Sequence, residues 1–227
     1  MTGPQLHLAL GLLIPAAYLA GSIPFGLLIG LAKGIDVRTA GSKNIGASNV
    51  GRLLGRRYFW AVFLLDAGKA LIPMLVASLA VNRAVRVADA PLDAGVYGLW
   101  MAVGLASIVG HMFSVFLRFG GGKGVATTAG ALLGLWPYLT LPALVMLAVF
   151  VVVFRSTRYI SLGSIAAALT FPVSYIGLGL ALNWRPFGPQ WPFTLFSLLV
   201  AALVTYKHRS NIARLRAGTE NRAVRVT

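Results

Sequence analysis

Three stretches of this 227-residue chain concentrate the side chains able to do chemistry. The first, Ala40–Arg52, sets Ser42, Asn44, Ser48, Asn49 and Arg52 among small residues. Glycines let backbone N–H groups approach a ligand closely. Hydroxyl and amide side chains add hydrogen bonds, and the Arg52 fork suits a phosphate. The second stretch runs from His111 to Thr128. Gly120, Gly121, Gly122, Lys123 and Gly124 lead directly into an apolar helix with Thr127 and Thr128 in its first turn. Amides exposed at a helix start, reinforced by the macrodipole, attract anions, and a lysine there adds a full charge. This is not a Walker A loop, which needs glycine at 117 and Ser or Thr at 124, where Leu117 and Gly124 stand. The third is Lys207–Asn211, followed by Arg214, Arg216 and Glu220; His208 and Asn211, three apart, would share a helix face. The common chemistry is anion recognition. The plainer readings are a solvated loop, a turn with a snorkelling lysine and a lipid-binding basic tail.

The missing groups narrow the reaction. There is no cysteine, which excludes thiolate nucleophiles and Cys-based metal sites. The five acids, Asp36, Asp66, Asp89, Asp93 and Glu220, are scattered, so no carboxylate pair is expected for acid/base work. No histidine is followed by an aspartate at the spacing of the common acyltransferases, and no set of metal ligands is evident; neither metal nor cofactor is expected. Asp66 and Lys69 lie three apart within an apolar run, either an ion pair or a functional site. Arg155, Arg158 and Ser161 read as a short polar loop, and His7 is assigned no role. What remains is a cationic, glycine-rich pocket for substrates already activated and already anionic, where catalysis would rest on positioning and charge stabilisation.

The elements that must hold these stretches are membrane helices. Hydrophobic residues make up 58% of the chain and charged ones 11%, against about a quarter charged in soluble domains, and the mean hydropathy is +0.80. A net charge of +15 in such a chain points to cytoplasmic loops rather than nucleic acid. Spans need about 20 apolar residues; Leu6–Leu31, Phe59–Val81, Gly95–Phe116, Ile160–Leu182 and Trp191–Tyr206 are expected. Residues 82–93 read as an outer loop, and no cleavable signal peptide is evident. Gly124–Phe154 is apolar but interrupted at Trp136-Pro137-Tyr138 and at Pro142. Split into Val125–Leu135 and Leu139–Phe154, it makes seven spans. Every loop and tail Lys and Arg except Arg83, Arg86 and Arg185 then falls on one side, whereas six spans divide them almost evenly. The expected fold is therefore an all-α integral membrane protein of seven transmembrane helices, some short, in a single domain over 1–227. Its N-terminus is outside, and its C-terminus and polar clusters are cytoplasmic.

With these residues in view, the chain resembles the bacterial membrane glycerol-3-phosphate acyltransferases that use acyl phosphate, the PlsY family. The likeness runs through Gly21-Ser-Ile-Pro-Phe-Gly26, the Gly41–Asn49 loop, Gly110-His111 to Thr127, Ser161-Leu-Gly-Ser164 and His208-x-x-Asn211. Ile45, Ser48 and Ala70 depart from the usual Pro, Thr and Gly, which touches loop details only. The resemblance implies transfer of an acyl chain from acyl phosphate to the 1-hydroxyl of glycerol 3-phosphate, giving lysophosphatidic acid for phospholipid synthesis in the bacterial inner membrane. Ser42, Asn44 and Arg52 would handle substrate phosphate; His111, Gly120–Gly122 and Lys123 match what looks like the acyl-phosphate pocket; Ser161, His208 and Asn211 match further site positions. Of these, Ser42, His111, Lys123 and Asn211 are expected to be catalytic and the others to bind substrate. Membrane lipid and a soluble enzyme that makes the acyl phosphate are the implied partners, though the sequence leaves open whether the latter docks on the basic loops. The donor phosphate is expected to accept the hydroxyl proton, with His111 or His208 as rival bases. The competing class is an organic-phosphate transporter or channel.

Overall fold

The computed structural model describes residues 3–88 and 92–222, and the regular secondary structure among them is helical. In order come α1 (Gly3–Ser22), α2 (Phe25–Leu31), α3 (Ala47–Leu54), α4 (Arg56–Ala88), α5 (Ala94–Met112), a 3₁₀ turn (Val115–Leu117), α6 (Val125–Leu133), α7 (Thr140–Thr157), α8 (Ile160–Ala181), α9 (Trp191–Lys207) and α10 (Arg209–Arg216). Five apolar stretches are long enough to cross a membrane: Gly3–Leu31, Arg56–Arg86, Ala94–Met112, Thr140–Thr157 and Ile160–Ala181; Trp191–Lys207 is apolar but shorter. Leu8, Leu64, Leu79, Val152 and Val173 lie on outward faces, an exposure that lipid solvates and water would not. The chain forms two compact units, Met1–Leu135 and Trp136–Thr227.

In the first unit α1 packs along α5. Gly21 sits on the backbone of Ser107 and Gly110 on the Tyr18 carbonyl, the close helix approach that small residues permit. The single first span expected over Leu6–Leu31 is broken. α1 stops at Ser22, and Pro24, which has no N–H, precedes the restart at Phe25. The break releases two carbonyls, and neighbours take them up: Ser114 Oγ donates to the Ser22 carbonyl at 2.6 Å and Lys69 Nζ to that of Ile23 at 2.8 Å. Backbone at membrane depth must find such partners. α4 continues to Ala88, so residues 82–88, expected in a loop, are helical; no Gly or Pro stands there to stop the helix. Asp89 and the rest of that loop through 91 lie outside the described residues. α6 is only nine residues long and rests on α4, with Gly130 against the backbone of Ala67.

The loop 32–46 ahead of α3 begins with a turn in which Asp36 accepts from the Arg38 backbone at 2.9 Å and pairs with its guanidinium at 2.7 Å. The Arg38 side chain holds the Asp36 carboxyl down at about 2. α3 then turns Ala47 and Val50 onto Leu27, Val37, Ile45 and Val62, leaving Ser48 and Arg52 on the opposite, exposed face. This is helical amphipathicity over two turns.

In the second unit α7 packs on α8 and α8 on α9. The expected interruption near Trp136–Tyr138 is present, since α6 ends at Leu133 and α7 begins at Thr140. Pro137 cannot continue a helix and disfavours helical backbone before it. The core is aromatic: Phe171 meets Phe196 edge-on at 6.1 Å and Tyr175 meets Phe193 at 6.0 Å. The polar loop expected over 155–161 is shorter than that. Arg155 lies in the last turn of α7, Arg158 caps it in the left-handed region, donating its N–H to Phe154, and Ser161 already belongs to α8.

Candidate active site

The first polar stretch is organised by Asn49, a side chain that sequence reasoning placed in the cluster without a role. It is buried, its Oδ1 accepts from the Ser42 amide at 2.7 Å, and its Nδ2 donates to the carbonyls of Val37, Ala40 and Asn44 at 2.9–3.2 Å. One amide thus ties together a loop with no regular structure of its own. Asn44 is partly used in the same bracing, its Oδ1 accepting from the Gly46 amide at 2.9 Å. The Ser42 hydroxyl and the Arg52 guanidinium make no bond among the described residues, and both side chains are exposed. The loop therefore presents one hydroxyl and one guanidinium on a rigid base.

The second stretch folds back on the helix it leaves. Ser114 N donates to the Gly120 carbonyl at 2.8 Å, and Gly122 N to the His111 carbonyl at 3.0 Å. Between them Arg118 and Phe119 take left-handed backbone, which reverses the chain. A Cβ at Gly121 would strike the His111 and Met112 carbonyls, and one at Gly122 would strike the His111 ring. Only glycine allows this return. Gly124, at φ +78°, then starts α6 without a side-chain cap, so its leading amides have no helical partner. The buried hydroxyls of Thr127 and Thr128 have no hydrogen-bond partner among the described residues. Lys123, half-buried, stands directly before Gly124. Together these are donors with positive potential at a helix start.

His111 is buried at the end of α5 and belongs to a cluster that the sequence left unassembled. Lys69 Nζ lies 2.8 Å from Asp66 Oδ1 and 2.9 Å from His111 Nδ1, while His111 Nδ1 is 3.5 Å from Asp66 Oδ1. The Asp66–Lys69 pair allowed by spacing is real. Its third member, 42 residues beyond Lys69, was not legible.

In the second unit Glu220 draws the third stretch together. Its Oε1 accepts from Ser161 Oγ at 2.7 Å and from Asn211 Nδ2 at 2.6 Å, and its Oε2 pairs with Arg214 Nε at 2.7 Å. The sequence places Glu220 in this stretch but gives it no role. His208 does not share a continuous helix with Asn211. It sits at the junction of α9 and α10, with Nδ1 2.8 Å from the Val204 carbonyl. A carbonyl only accepts, so Nδ1 carries a proton. Burial opposes ionisation of Glu220, but hydrogen bonds from Ser161, Asn211 and Arg214 outweigh it and hold the carboxyl below its usual range. Because the folded value is depressed, the contribution is full above the ordinary carboxylate range and is lost as pH falls through the folded value. The tail contact is thus expected to survive to pH values below that range. Glu220→Ala should free the tail at neutral pH, read as faster amide exchange in α10, and lower stability by about 1–3 kcal/mol. Wild-type exchange that already rises near pH 5 would contradict this.

Apolar helices flanking braced, cationic, glycine-rich loops define a multi-pass membrane protein whose candidate site is rich in hydrogen-bond donors. Comparisons with known proteins give the family. The glycerol-3-phosphate acyltransferase family model matches residues 11–218. A glycerol-3-phosphate acyltransferase of Geobacter sulfurreducens is 45% identical over 212 residues, covering 93% of this chain and 96% of that one. One of Geotalea daltonii is 46% identical, covering 92% and 95%. Two crystal structures of PlsY, described as an integral membrane glycerol 3-phosphate acyltransferase, superpose on the chain. The glycerol 3-phosphate form is 37% identical with a TM-score of 0.78, and the lysophosphatidic acid form 36% with 0.76; each covers 95% of this chain and 96% of its own. The chain belongs to the glycerol-3-phosphate acyltransferase family, and it is an enzyme of the acyltransferase class rather than a transporter.

Proposed function

We propose that this protein transfers an acyl chain from acyl phosphate to the 1-hydroxyl of glycerol 3-phosphate, releasing inorganic phosphate and lysophosphatidic acid. The observation that carries this reading is the glycine run folded onto His111 ahead of α6, in a chain matched almost end to end by glycerol-3-phosphate acyltransferases. The hydroxyl oxygen attacks the acyl carbonyl carbon, the bond from that carbon to the phosphate oxygen breaks, and the departing phosphate takes the hydroxyl proton. A mixed anhydride carries its own leaving group, so no acyl-enzyme is needed.

The whole chain, 1–227, acts as one catalytic domain. Ser42, Asn44 and Arg52 handle substrate phosphate from the braced first loop. Lys123 and Gly120–Gly122 stabilise phosphate charge, with His111 beside them. Ser161, His208 and Asn211 contribute from the second unit. Seven spans, N-terminus outside, place these loops at the cytoplasmic face of the bacterial inner membrane, where a soluble acyl-phosphate-producing enzyme delivers the donor and lipid receives the product. Purified protein in detergent, given acyl phosphate and glycerol 3-phosphate, should release phosphate only when both are present. Release without glycerol 3-phosphate, or none with both, would overturn the assignment. A reporter fused after Trp136 should read as periplasmic; a cytoplasmic reading rejects the seven-span arrangement.

A further inference from the structure

We propose that Lys69 fixes His111 as a neutral imidazole with its proton on Nε2, so that this histidine meets the glycine loop as a hydrogen-bond donor and not as a base. An ammonium group has three protons and no acceptor. Lys69 Nζ donates to the Ile23 carbonyl at 2.8 Å and lies 2.9 Å from His111 Nδ1 in hydrogen-bonding geometry, while Asp66 Oδ1, at 2.8 Å, is its ion-pair partner and takes no hydrogen bond among the described residues. An ammonium can only donate, so its contact with His111 needs a lone pair on Nδ1. An imidazolium, or the Nδ1–H tautomer, would set N–H against N–H at that contact. The direct alternative, an aspartate accepting from the histidine, is not made, because Asp66 Oδ1 stands 3.5 Å from Nδ1 and the lysine fills the closer position. Lys69, Asp66 and His111 are all buried, at 6%, 2% and 4% exposure, so the three are held rigidly by their surroundings.

The opposite edge of the ring, with Nε2, Cε1 and Cδ2, lies against Gly122. That edge faces the backbone that returns to α6, where amide donors and Lys123 already concentrate positive potential. An Nε2–H there adds a donor to a group of donors, whereas a bare Nε2 would place a lone pair beside a bound anion. Lys69 is accordingly a positioning residue: it sets the polarity of His111 without reaching the substrate. His208 has the opposite bond, since its Nδ1 donates to Val204. The two histidines were equal rivals as bases on sequence grounds; the lysine removes His111 from that role. The functional consequence rests on the acyl-transfer reading, but the tautomer itself does not.

The experiment is ¹⁵N NMR of the full-length protein in detergent, labelled at its three histidines, with His111 assigned by the signals lost in His111→Gln. At neutral pH the expected result is an unprotonated Nδ1 and a protonated Nε2. An Nδ1–H tautomer or an imidazolium overturns the proposal even if acyl transfer is intact. The same spectrum on Lys69→Met should show the ring released to a mixture of tautomers; an unchanged pattern means lysine does not set it. In the rate assay His111→Gln, which can present an amide N–H near the Nε2 position, should stay within about tenfold of wild type, and His111→Leu should lose about a hundredfold. Equal losses in the two variants would contradict the donor role. Absence of turnover in wild type would instead fault the acyl-transfer reading and leave the NMR result standing.

Discussion

Replacing Lys123 by methionine should lower kcat/KM for acyl transfer by about 10²–10³-fold, or about 3–4 kcal/mol of transition-state stabilisation, with little change in thermal stability. The lysine stands half-buried directly before Gly124, at the start of a nine-residue helix whose leading amides lack helical partners. Positive potential from those amides falls off within the first turn, so a full charge at this place carries much of the anion stabilisation. As the acyl–phosphate bond breaks, negative charge grows on the leaving phosphate. A fixed ammonium there acts more strongly on the transition state than on the substrate, and the loss should appear in kcat as well as in KM. Lys123→Arg keeps the charge but replaces a compact ammonium by a longer planar fork, and an intermediate rate is expected. Steady-state kinetics with each substrate varied will check this. A Lys123→Met enzyme with wild-type kcat would show that the charge plays no part in the chemical step.

The second large effect concerns folding. Lys69→Met leaves the Asp66 carboxylate buried without its cation, and also strips a donor from the Ile23 carbonyl and from His111. Breaking one side of a buried pair costs about 3–5 kcal/mol, a large fraction of the 5–15 kcal/mol that separates folded from unfolded chains. The variant should accumulate poorly in membranes and unfold at lower temperature in detergent. Removing both charges, as in Asp66→Leu with Lys69→Met, should recover most of that stability. The Ile23 carbonyl keeps its bond from the Phe25 amide at 3.2 Å, so losing the lysine donor there limits the recovery by only about 1 kcal/mol. Activity should not return with the fold, because His111 loses its lock. Thermal unfolding of the two single variants and the double variant forms the cycle; a Lys69→Met protein as stable as wild type would remove the pair from any structural role.

Much of this protein was legible in its sequence, and for a local reason. Apolar runs, the Pro137 interruption and the glycine run before α6 act over a few residues of backbone. The helices, the division of Gly124–Phe154 and the start of α6 directly after the glycine run could therefore be read directly. The family motifs were likewise local strings. Where reading erred, the deciding factor was also local but weak: nothing but the absence of Gly or Pro carries α4 through residues 82–88, and Pro24 was passed over inside an apolar run.

What only tertiary structure decided is which polar groups meet. Asp66 and Lys69 come from α4, His111 from α5, and the Ile23 carbonyl from the break between α1 and α2. Ser161 and Glu220 are 59 residues apart, and Asn49 selects three carbonyls of a loop that has no pattern to predict them. Side-chain type states how many protons a group can give or take; it does not state which neighbour supplies the partner. That is set by close helix packing, by Gly21 on Ser107, Gly110 on Tyr18 and Gly130 on Ala67, which brings buried polar groups near enough that each must be satisfied within the protein. The sequence determined a cationic, glycine-rich loop ahead of α6; packing decided that His111 lies between that loop and Lys69.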